Sequence, residues 1–112
     1  MYTLQYFEEA KEDYKKLDGS QRKIIDKGLN KIREQGKLAG APLKGELQGC
    51  RKIKNRKHGL RIVFRPVENS DEVEIMQIIV IGKRERLKVF SDAESRLNSS
   101  LSTNVGEENP KN

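Results

Sequence analysis

Residues 73–81 (VEIMQIIVI) form an almost continuously apolar run, and no other segment limits the possible folds as strongly. Side chains of a strand alternate between two faces, so a strand can be apolar throughout only when both faces are covered. The run therefore predicts an interior strand of a sheet with packing on each side. With 112 residues in all, the sheet and the elements that cover it must share a single hydrophobic core.

The first 36 residues predict a strand followed by a helical hairpin. Apolar and polar residues alternate over residues 2–6, which is the period of a half-buried strand. Two stretches of helical spacing follow, separated by a break at Asp18-Gly19. Ser20 is the expected N-cap of the second helix, which should end at Gly36. The apolar positions that define the helices are Phe7, Ala10, Tyr14 and Leu17, then Ile24, Ile25, Leu29 and Ile32.

Residues 50–66 predict a β-hairpin that separates cations from apolar side chains. A two-residue turn at His58-Gly59 would place Lys54 opposite Val63. Directly opposed residues share a face of the sheet. One face then carries Lys52, Lys54, Arg56, Arg61, Val63 and Arg65, and the other carries Ile53, Asn55, Lys57, Leu60, Ile62 and Phe64.

The segments around this hairpin complete the predicted fold. Residues 37–49 are rich in glycine and predict a loop. Ser91 and Glu94 have the spacing of a capping box that opens a short helix. Residues 98–112 are polar and aperiodic, which predicts a disordered tail after a domain of residues 1–97. The order β-α-α-β-β-β-α predicts an α+β fold, with the N-terminal strand and helical hairpin packed on a small, mostly antiparallel sheet.

Charge and composition restrict the partners and the chemistry. The 23 lysines and arginines exceed the 17 acids and give a net charge of +6, which favours a polyanionic partner such as nucleic acid. One cysteine, Cys50, and one histidine, His58, are too few for a zinc site of the Cys/His type. Because we find no motif for a catalytic metal or a bound nucleotide, we expect no cofactor. The sequence shows no apolar run of membrane length and no secretory signal, so we expect a cytoplasmic protein that binds no membrane.

The cationic face of the hairpin is the strongest functional signal. Residues 51–66 contain seven cations and no acid. Like charges that face each other across two strands are unfavourable by up to about 1 kcal/mol per pair, so the cluster needs compensation. A bound phosphodiester would supply it. The alternative is a generic basic surface that favours solubility or attracts RNA loosely.

A lysine in this cluster could act on RNA without a metal. Neighbouring like charges favour the neutral amine, which can accept a proton, and Lys54 and Lys52 are the candidates. The proton would come from the 2′-hydroxyl of RNA, which then attacks the adjacent phosphorus. Arg61 and Arg84 would hold the non-bridging oxygens as negative charge develops. The residues leave the general acid unassigned, because an arginine is a poor proton donor.

Several short segments, taken in order, resemble a known family. They are Leu43-Lys44-Gly45, then CRKIK at residues 50–54, GLRIVF at residues 59–64, VIGKRER at residues 80–86, and Val89-Phe90. In this order and spacing they are similar to the RelE/ParE superfamily of bacterial toxins, closely on the RelE side, and the resemblance covers about residues 2–97. It implies a compact microbial ribonuclease-like fold.

The resemblance also implies an activity and its partners. It predicts the toxin of a type II toxin–antitoxin system, a ribosome-dependent endoribonuclease that cuts messenger RNA in the A site of the 70S ribosome and so inhibits translation. A cognate antitoxin would hold the toxin inactive, and the complex would bind operator DNA through the antitoxin.

Individual roles follow from the matching positions. Lys54 resembles the family's general base, with Lys52 beside it, and Arg61 resembles a phosphate and transition-state contact. Arg84 resembles the arginine near the leaving group. Phe90 stands where RelE proper has a tyrosine, so its ring can stack on a base but cannot donate a hydroxyl proton.

The remaining substrate-binding candidates are basic. Lys44 matches a family position that contacts ribosomal RNA, and Lys83 belongs to the GKRER segment. Arg56 and Arg65 are predicted as phosphate contacts only because they share the cationic face. His58 is interpreted as a turn residue, with a role as base kept in reserve.

Two other functions remain open at this point. One is a ParE-like protein that inhibits DNA gyrase by binding, and the other is a catalytically weakened member that only binds antitoxin or RNA. The presence of Lys52, Lys54, Arg61 and Arg84 together favours the nuclease. The phenylalanine at position 90 keeps the weakened member open as an alternative.

Overall fold

In the computed structural model, residues 2–67, 75–83 and 88–100 are described, and they form a five-stranded sheet with three helices. The helices and strands are β1 (Thr3–Tyr6), α1 (Glu8–Lys15), α2 (Gly19–Gln35), β2 (Ala41–Pro42), β3 (Arg51–Asn55), β4 (Leu60–Val67), β5 (Ile75–Lys83) and α3 (Lys88–Ser100). Short 3-10 turns occupy Gly36–Leu38 and Gly45–Leu47. The predicted α+β fold is confirmed.

The strand order is β1-β5-β4-β3-β2, which places the apolar β5 in the interior of the sheet. β5 runs parallel to β1 and antiparallel to β4, and the other pairs are antiparallel. Residues 76–81 of β5 are all buried. This confirms the prediction of an interior strand that is covered on both faces, while residues 73 and 74 of the predicted strand lie outside the described residues.

Helices α1 and α2 cover one face of the sheet. Ile25, Leu29 and Ile32 of α2 are buried in the core. At Gly28 the helix comes so close to β4 that a Cβ atom would lie 2.8 Å from Cδ1 of Ile62. The apolar side of the β3–β4 hairpin therefore faces α2, as the pattern of alternation requires.

The N-cap of α2 is Asp18, so the prediction of Ser20 is wrong. The Asp18 carboxylate accepts the Gln21 backbone N–H at 2.8 Å, and the Gln21 side chain accepts the Asp18 N–H at 3.0 Å. A carboxylate can complete this reciprocal capping box and also favours the positive end of the helix dipole. Ser20 lies inside the first turn and donates its hydroxyl to Asp18 at 2.9 Å. The helix ends at Gly36, as predicted.

The turn between β3 and β4 differs from the prediction. The strands pair Lys54 with Arg61 and Asn55 with Leu60, so four residues form the turn instead of two, and Lys54 is not opposite Val63. Asn55 closes this longer turn, because its side chain accepts the His58 N–H at 2.9 Å and its carbonyl accepts the Gly59 N–H at 2.8 Å. The register moves by two residues in total, which leaves every remaining strand residue on its predicted face.

Residues 37–49 are not wholly loop. Ala41 and Pro42 form β2, a two-residue strand that pairs with Lys52 and Arg51. At Gly40, just before β2, a Cβ atom would lie 2.1 Å from the carbonyl oxygen of Lys52. Only glycine allows the two backbone segments to approach this closely.

Helix α3 covers the other face of the sheet. It starts at Lys88, so Ser91 and Glu94 lie inside the helix and the predicted capping box does not open it. Ala93 of α3 is completely buried, as is Val63 on this face of β4. The helix continues to Ser100, and residues 101–112 lie outside the described residues. The domain boundary at residue 97 stays a prediction.

Within the described ranges, no helix is both long enough and apolar enough to cross a membrane.

Candidate active site

The candidate site forms where α3 meets the cationic face of the β3–β4 hairpin. The Nζ atom of Lys52 lies 5.5 Å from the centroid of the Phe90 ring, and the guanidinium carbon of Arg61 lies 5.8 Å from the same centroid. A cation in this position is attracted to the ring by about 0.5–1 kcal/mol where exposed, and by about 2 kcal/mol where desolvated. The ring therefore offsets part of the repulsion between the two cations.

Strand pairing brings the third cation to the same place. Lys54 is directly opposite Arg61, and Lys52 is opposite Val63. Opposed side chains on one face have Cβ atoms about 4.5–5.5 Å apart. Lys54 is exposed, whereas Lys52 and Arg61 are half-buried. Three of the predicted catalytic residues thus share one face of two neighbouring strands, and the lysine at the outer end is open to solvent.

The neighbouring strand leaves space beside Arg61. Gly82 of β5 is the residue paired with Arg61, so β5 contributes no side chain at this position. Lys83 follows at the end of β5, is exposed, and pairs with Leu60. Arg84, the fourth predicted catalytic residue, lies outside the described residues.

Arg65 shares this face but belongs to a different set of contacts. Its Nε atom donates to Oε1 of Gln77 at 2.8 Å, and Nε2 of Gln77 donates to Oε1 of Gln5 at 3.2 Å. Gln77 is only 4% exposed. The guanidinium of Arg65 thus extends a row of hydrogen-bonded polar side chains across β4, β5 and β1.

Arg65 also influences Cys50. Burial raises the pKa of the Cys50 thiol, and the positive charge of Arg65 partly opposes this rise.

The other predicted substrate-binding residues are exposed around this site. Arg56 lies in the turn between β3 and β4, not in the paired ladder where the sequence had placed it. Lys44 lies immediately before the 3-10 turn at Gly45–Leu47, against which α3 packs. His58 has its Nδ1 atom 3.1 Å from Oδ1 of Asn55, a contact that fits its interpretation as a turn residue.

One positioning contact was not foreseen from the sequence. Arg51 donates from Nε to the carbonyl of Ala39 at 2.7 Å and from Nη2 to the carbonyl of Gly40 at 2.8 Å. It fixes the segment that enters β2 alongside Lys52. The available signal was Gly40, because a glycine in a loop can mark a close approach of two backbones.

Comparison with known proteins identifies the family and supports the fold. No protein-family model matches the sequence. The mRNA interferase toxin RelE of Escherichia coli K12 is 33% identical over 96 residues, which are 86% of this chain and 97% of that protein. The chain belongs to the RelE family of toxins. This membership confirms the resemblance drawn from the sequence motifs.

Solved structures of RelE agree with the fold of this RelE-family chain. The crystal structure of the isolated E. coli RelE toxin has a TM-score of 0.66 and 32% identity, covering 87% of this chain and 99% of that one. RelE in the intact E. coli RelBE toxin–antitoxin complex has a TM-score of 0.65 and 31% identity, covering 77% of this chain and 100% of that one.

Proposed function

We propose that this RelE-family chain is the toxin of a type II toxin–antitoxin system and cleaves messenger RNA in the A site of the ribosome. The observation that carries the proposal is the cluster of Lys52, Lys54 and Arg61 on one sheet face, with the Phe90 ring against two of the three. Three cations on one face of the sheet suit a bound phosphodiester, and the packing of the hydrophobic core does not require them. The E. coli relative is named an mRNA interferase, which supports the same reaction class.

The proposed reaction uses the 2′-hydroxyl of the RNA as nucleophile. The Lys54 amine accepts its proton, the 2′-oxygen forms a bond to phosphorus, and the bond from phosphorus to the 5′-oxygen breaks. The products are a 2′,3′-cyclic phosphate and a 5′-hydroxyl, whose proton comes from a general acid that we do not assign. Lys54 suits the role of base because it is exposed and stands directly opposite Arg61.

In this proposal, Arg61 and Lys52 stabilise the negative charge that develops on the non-bridging oxygens. Fixed positive charges aimed at a developing anion are commonly the largest single contribution to catalysis, and they supply what a metal ion supplies in other nucleases. The contact with Phe90 restricts both side chains before the substrate arrives. Arg84 stays a proposed contact near the leaving group.

The proposed role of Phe90 has two parts. Its ring orients Lys52 and Arg61, and a base of the messenger can stack on ring surface that the cations leave open. The side chain has no hydroxyl, so no proton transfer is assigned to it. Proposed phosphate or ribosomal RNA contacts around the site are Lys44, Arg56, Arg65 and Lys83.

The proposed partners are a cognate antitoxin and the 70S ribosome, in the cytoplasm. RelE of E. coli has been solved in complex with its antitoxin and with an antitoxin peptide. For this chain we propose an antitoxin with an acidic side that covers the cationic face or displaces α3, and that carries the complex to operator DNA.

The proposed chemistry is tested with purified ribosomes and a messenger of defined A-site codon. The chain should cut the all-ribose messenger in that codon and leave a 2′,3′-cyclic phosphate. The same messenger with 2′-deoxyribose 5′ to the scissile phosphate should stay intact. Equal cutting of both messengers would contradict 2′-hydroxyl attack. No cutting, together with inhibition of gyrase supercoiling at stoichiometric protein, would replace the proposal with the gyrase alternative.

A further inference from the structure

The edge of β5 beyond the end of β1 is completed by two side chains. The Phe7 N–H donates to the carbonyl of Ile78 at 2.9 Å, where β1 gives way to α1. Past this point, no strand of the described residues lies beside the carbonyl of Ile79 and the N–H of Ile81 on this edge. Backbone groups buried without partners are costly, so something must bind them.

Asp13 of α1 and Arg96 of α3 bind those two groups and each other. Nη1 of Arg96 donates to the Ile79 carbonyl at 2.7 Å and to Oδ2 of Asp13 at 2.7 Å, while Nη2 donates to Oδ1 of Asp13 at 3.2 Å. Oδ2 of Asp13 also accepts the Ile81 N–H at 3.0 Å. The two side chains are only 16% and 15% exposed. This pair therefore joins α1, β5 and α3 in a mostly desolvated place.

The pair fixes α3 in both rotation and translation. Arg96 and Phe90 are six residues apart, which is about 9 Å along the helix axis and about 240° around it. Ala93 lies between them and is completely buried. A guanidinium that donates in a fixed planar geometry to a carboxylate and a carbonyl tolerates little rotation of its helix. Fixing Arg96 on one flank of α3 therefore fixes Phe90 on the other.

We propose that Asp13 and Arg96 are positioning residues of the candidate active site, which set the place of the Phe90 ring against Lys52 and Arg61. The inference extends the proposed function, since the cations so positioned are those assigned to RNA cleavage. The hydrogen bonds of Asp13 and Arg96 join them to each other and to β5, so their effect on the site is transmitted through α3. A positioning role also explains why a buried ion pair occupies this place. Burying two charges adds little stability compared with an apolar pair of similar size.

The direct test is a ring-current measurement on the full chain, which needs no RNA. Nζ of Lys52 lies over the Phe90 ring, 5.5 Å from its centroid. We therefore expect the NMR signals of the adjacent methylene protons to be displaced upfield in the wild type. In Asp13→Asn and in Arg96→Lys the displacement should shrink. The core methyl signals of Ile62 should stay dispersed, which shows that these variants remain folded.

Arg22→Lys is the matched control for these variants. Arg22 also anchors a helix, since it donates to the carbonyls of Tyr14 at 3.3 Å and Lys15 at 2.8 Å. Its contacts are with α1 and not with α3, so the Lys52 signals should keep their upfield displacement. Unchanged Lys52 signals in both folded pair variants would overturn the proposal, and so would an equal change in the control.

A measurement on the wild type covers the case in which the pair variants do not fold. Because Asp13 accepts the Ile81 N–H, hydrogen exchange at that amide should be slow and should follow the exchange of the α3 amides. Exchange of Ile81 as fast as that of an exposed amide would overturn the proposal.

Kinetics connect the pair to the proposed function. In single-turnover cleavage over a range of ribosome concentrations, both pair variants should lose maximal rate by about tenfold to a hundredfold, as for a misplacement near 1 Å. The ribosome concentration that gives half the maximal rate should change little. Wild-type rates in variants whose Lys52 signals have moved would overturn the role in catalysis. A wild-type chain that cuts no messenger would contradict the proposed function, while the chemical shifts would still decide whether the pair positions α3.

Discussion

At the scale of single residues, the Phe90 ring and two cations form the contact on which the site depends. The ring is held by α3, whereas Lys52 and Arg61 come from two different strands. One aromatic side chain thus links three elements at the place where a phosphodiester is proposed to bind. Its effect on the cations depends on the π face and not on apolar volume alone.

Substitutions of Phe90 distinguish the contribution of its apolar volume to stability from the contribution of its π face. We expect Phe90→Leu to cost about 1 kcal/mol of unfolding free energy, since two partly exposed cation–π contacts are lost while apolar burial is largely kept. Cleavage should slow because Lys52 and Arg61 lose their restraint. Phe90→Tyr keeps the π face and should match the wild type in stability. Urea unfolding measures both, and equal stability of the leucine and tyrosine variants would contradict the cation–π account.

Cys50 offers a second test at this scale. The residue is 3% exposed, and burial raises the pKa of its thiol. Because the thiolate is the reactive form, an aromatic disulfide reagent at about pH 8 should react with Cys50 only when the chain opens. The reaction should accelerate in urea in parallel with unfolding. Rapid stoichiometric reaction of the native chain would show that the thiol is accessible.

At the scale of elements, the two backbone segments that meet at Gly40 hold β2 against β3. Gly40 has φ +69°, and an added Cβ atom would lie 2.1 Å from the Lys52 carbonyl oxygen. Gly45 has nearly the same φ, +68°, but apart from its chain neighbours no described residue has a heavy atom within 4 Å of the position of an added Cβ atom. Alanine substitutions at these two glycines therefore distinguish the cost of an unfavourable φ from the cost of steric overlap.

We expect Gly40→Ala to destabilise the chain by about 2 kcal/mol or more, and Gly45→Ala by about 1 kcal/mol. Both variants adopt an unfavourable φ, but only the first must also push β2 away from β3. Urea unfolding gives the two free energies. Equal losses would mean that strain alone accounts for the glycine at position 40.

The N-cap of α2 predicts a pH dependence of stability. The Gln21 backbone N–H, and next the Ser20 hydroxyl, hold the pKa of the Asp18 carboxyl below its ordinary value. A carboxyl whose pKa is lowered by folding contributes stability above its unfolded pKa and loses that contribution as the pH falls through its folded pKa. In Asp18→Asn, the urea midpoint should therefore fall less between about pH 7 and pH 3 than in the wild type. An identical fall would contradict this assignment.

At the scale of the whole molecule, one face of the sheet packs the core and the other carries the candidate active site. Helices α1 and α2 bury one face, and α3 covers part of the other and leaves the cations at its margin. The sequence predicted this separation because strand alternation determines faces, and the turn correction moved the register by two residues, which changes no face.

Other parts of the molecule could not be predicted from local periodicity. The turn length depends on hydrogen bonds that Asn55 accepts from His58 and Gly59, which periodicity does not reveal. The pairing of β2 depends on a close approach at Gly40. Asp13 and Arg96 meet across 83 residues of chain, and each alone resembles a charge on a solvated helix. Contacts between distant segments depend on tertiary packing, which local patterns do not determine.

Lys54 is the proposed base in cleavage of messenger RNA on the ribosome, and this role has a direct test. Primer extension on a translated messenger with purified ribosomes should compare the wild type with Lys54→Ala and with Lys57→Ala. Lys57 is the matched control, because it is an exposed lysine of the neighbouring turn. We predict cuts at A-site codons for the wild type and Lys57→Ala, and their loss in Lys54→Ala. Undiminished cutting by a folded Lys54→Ala variant would contradict this role.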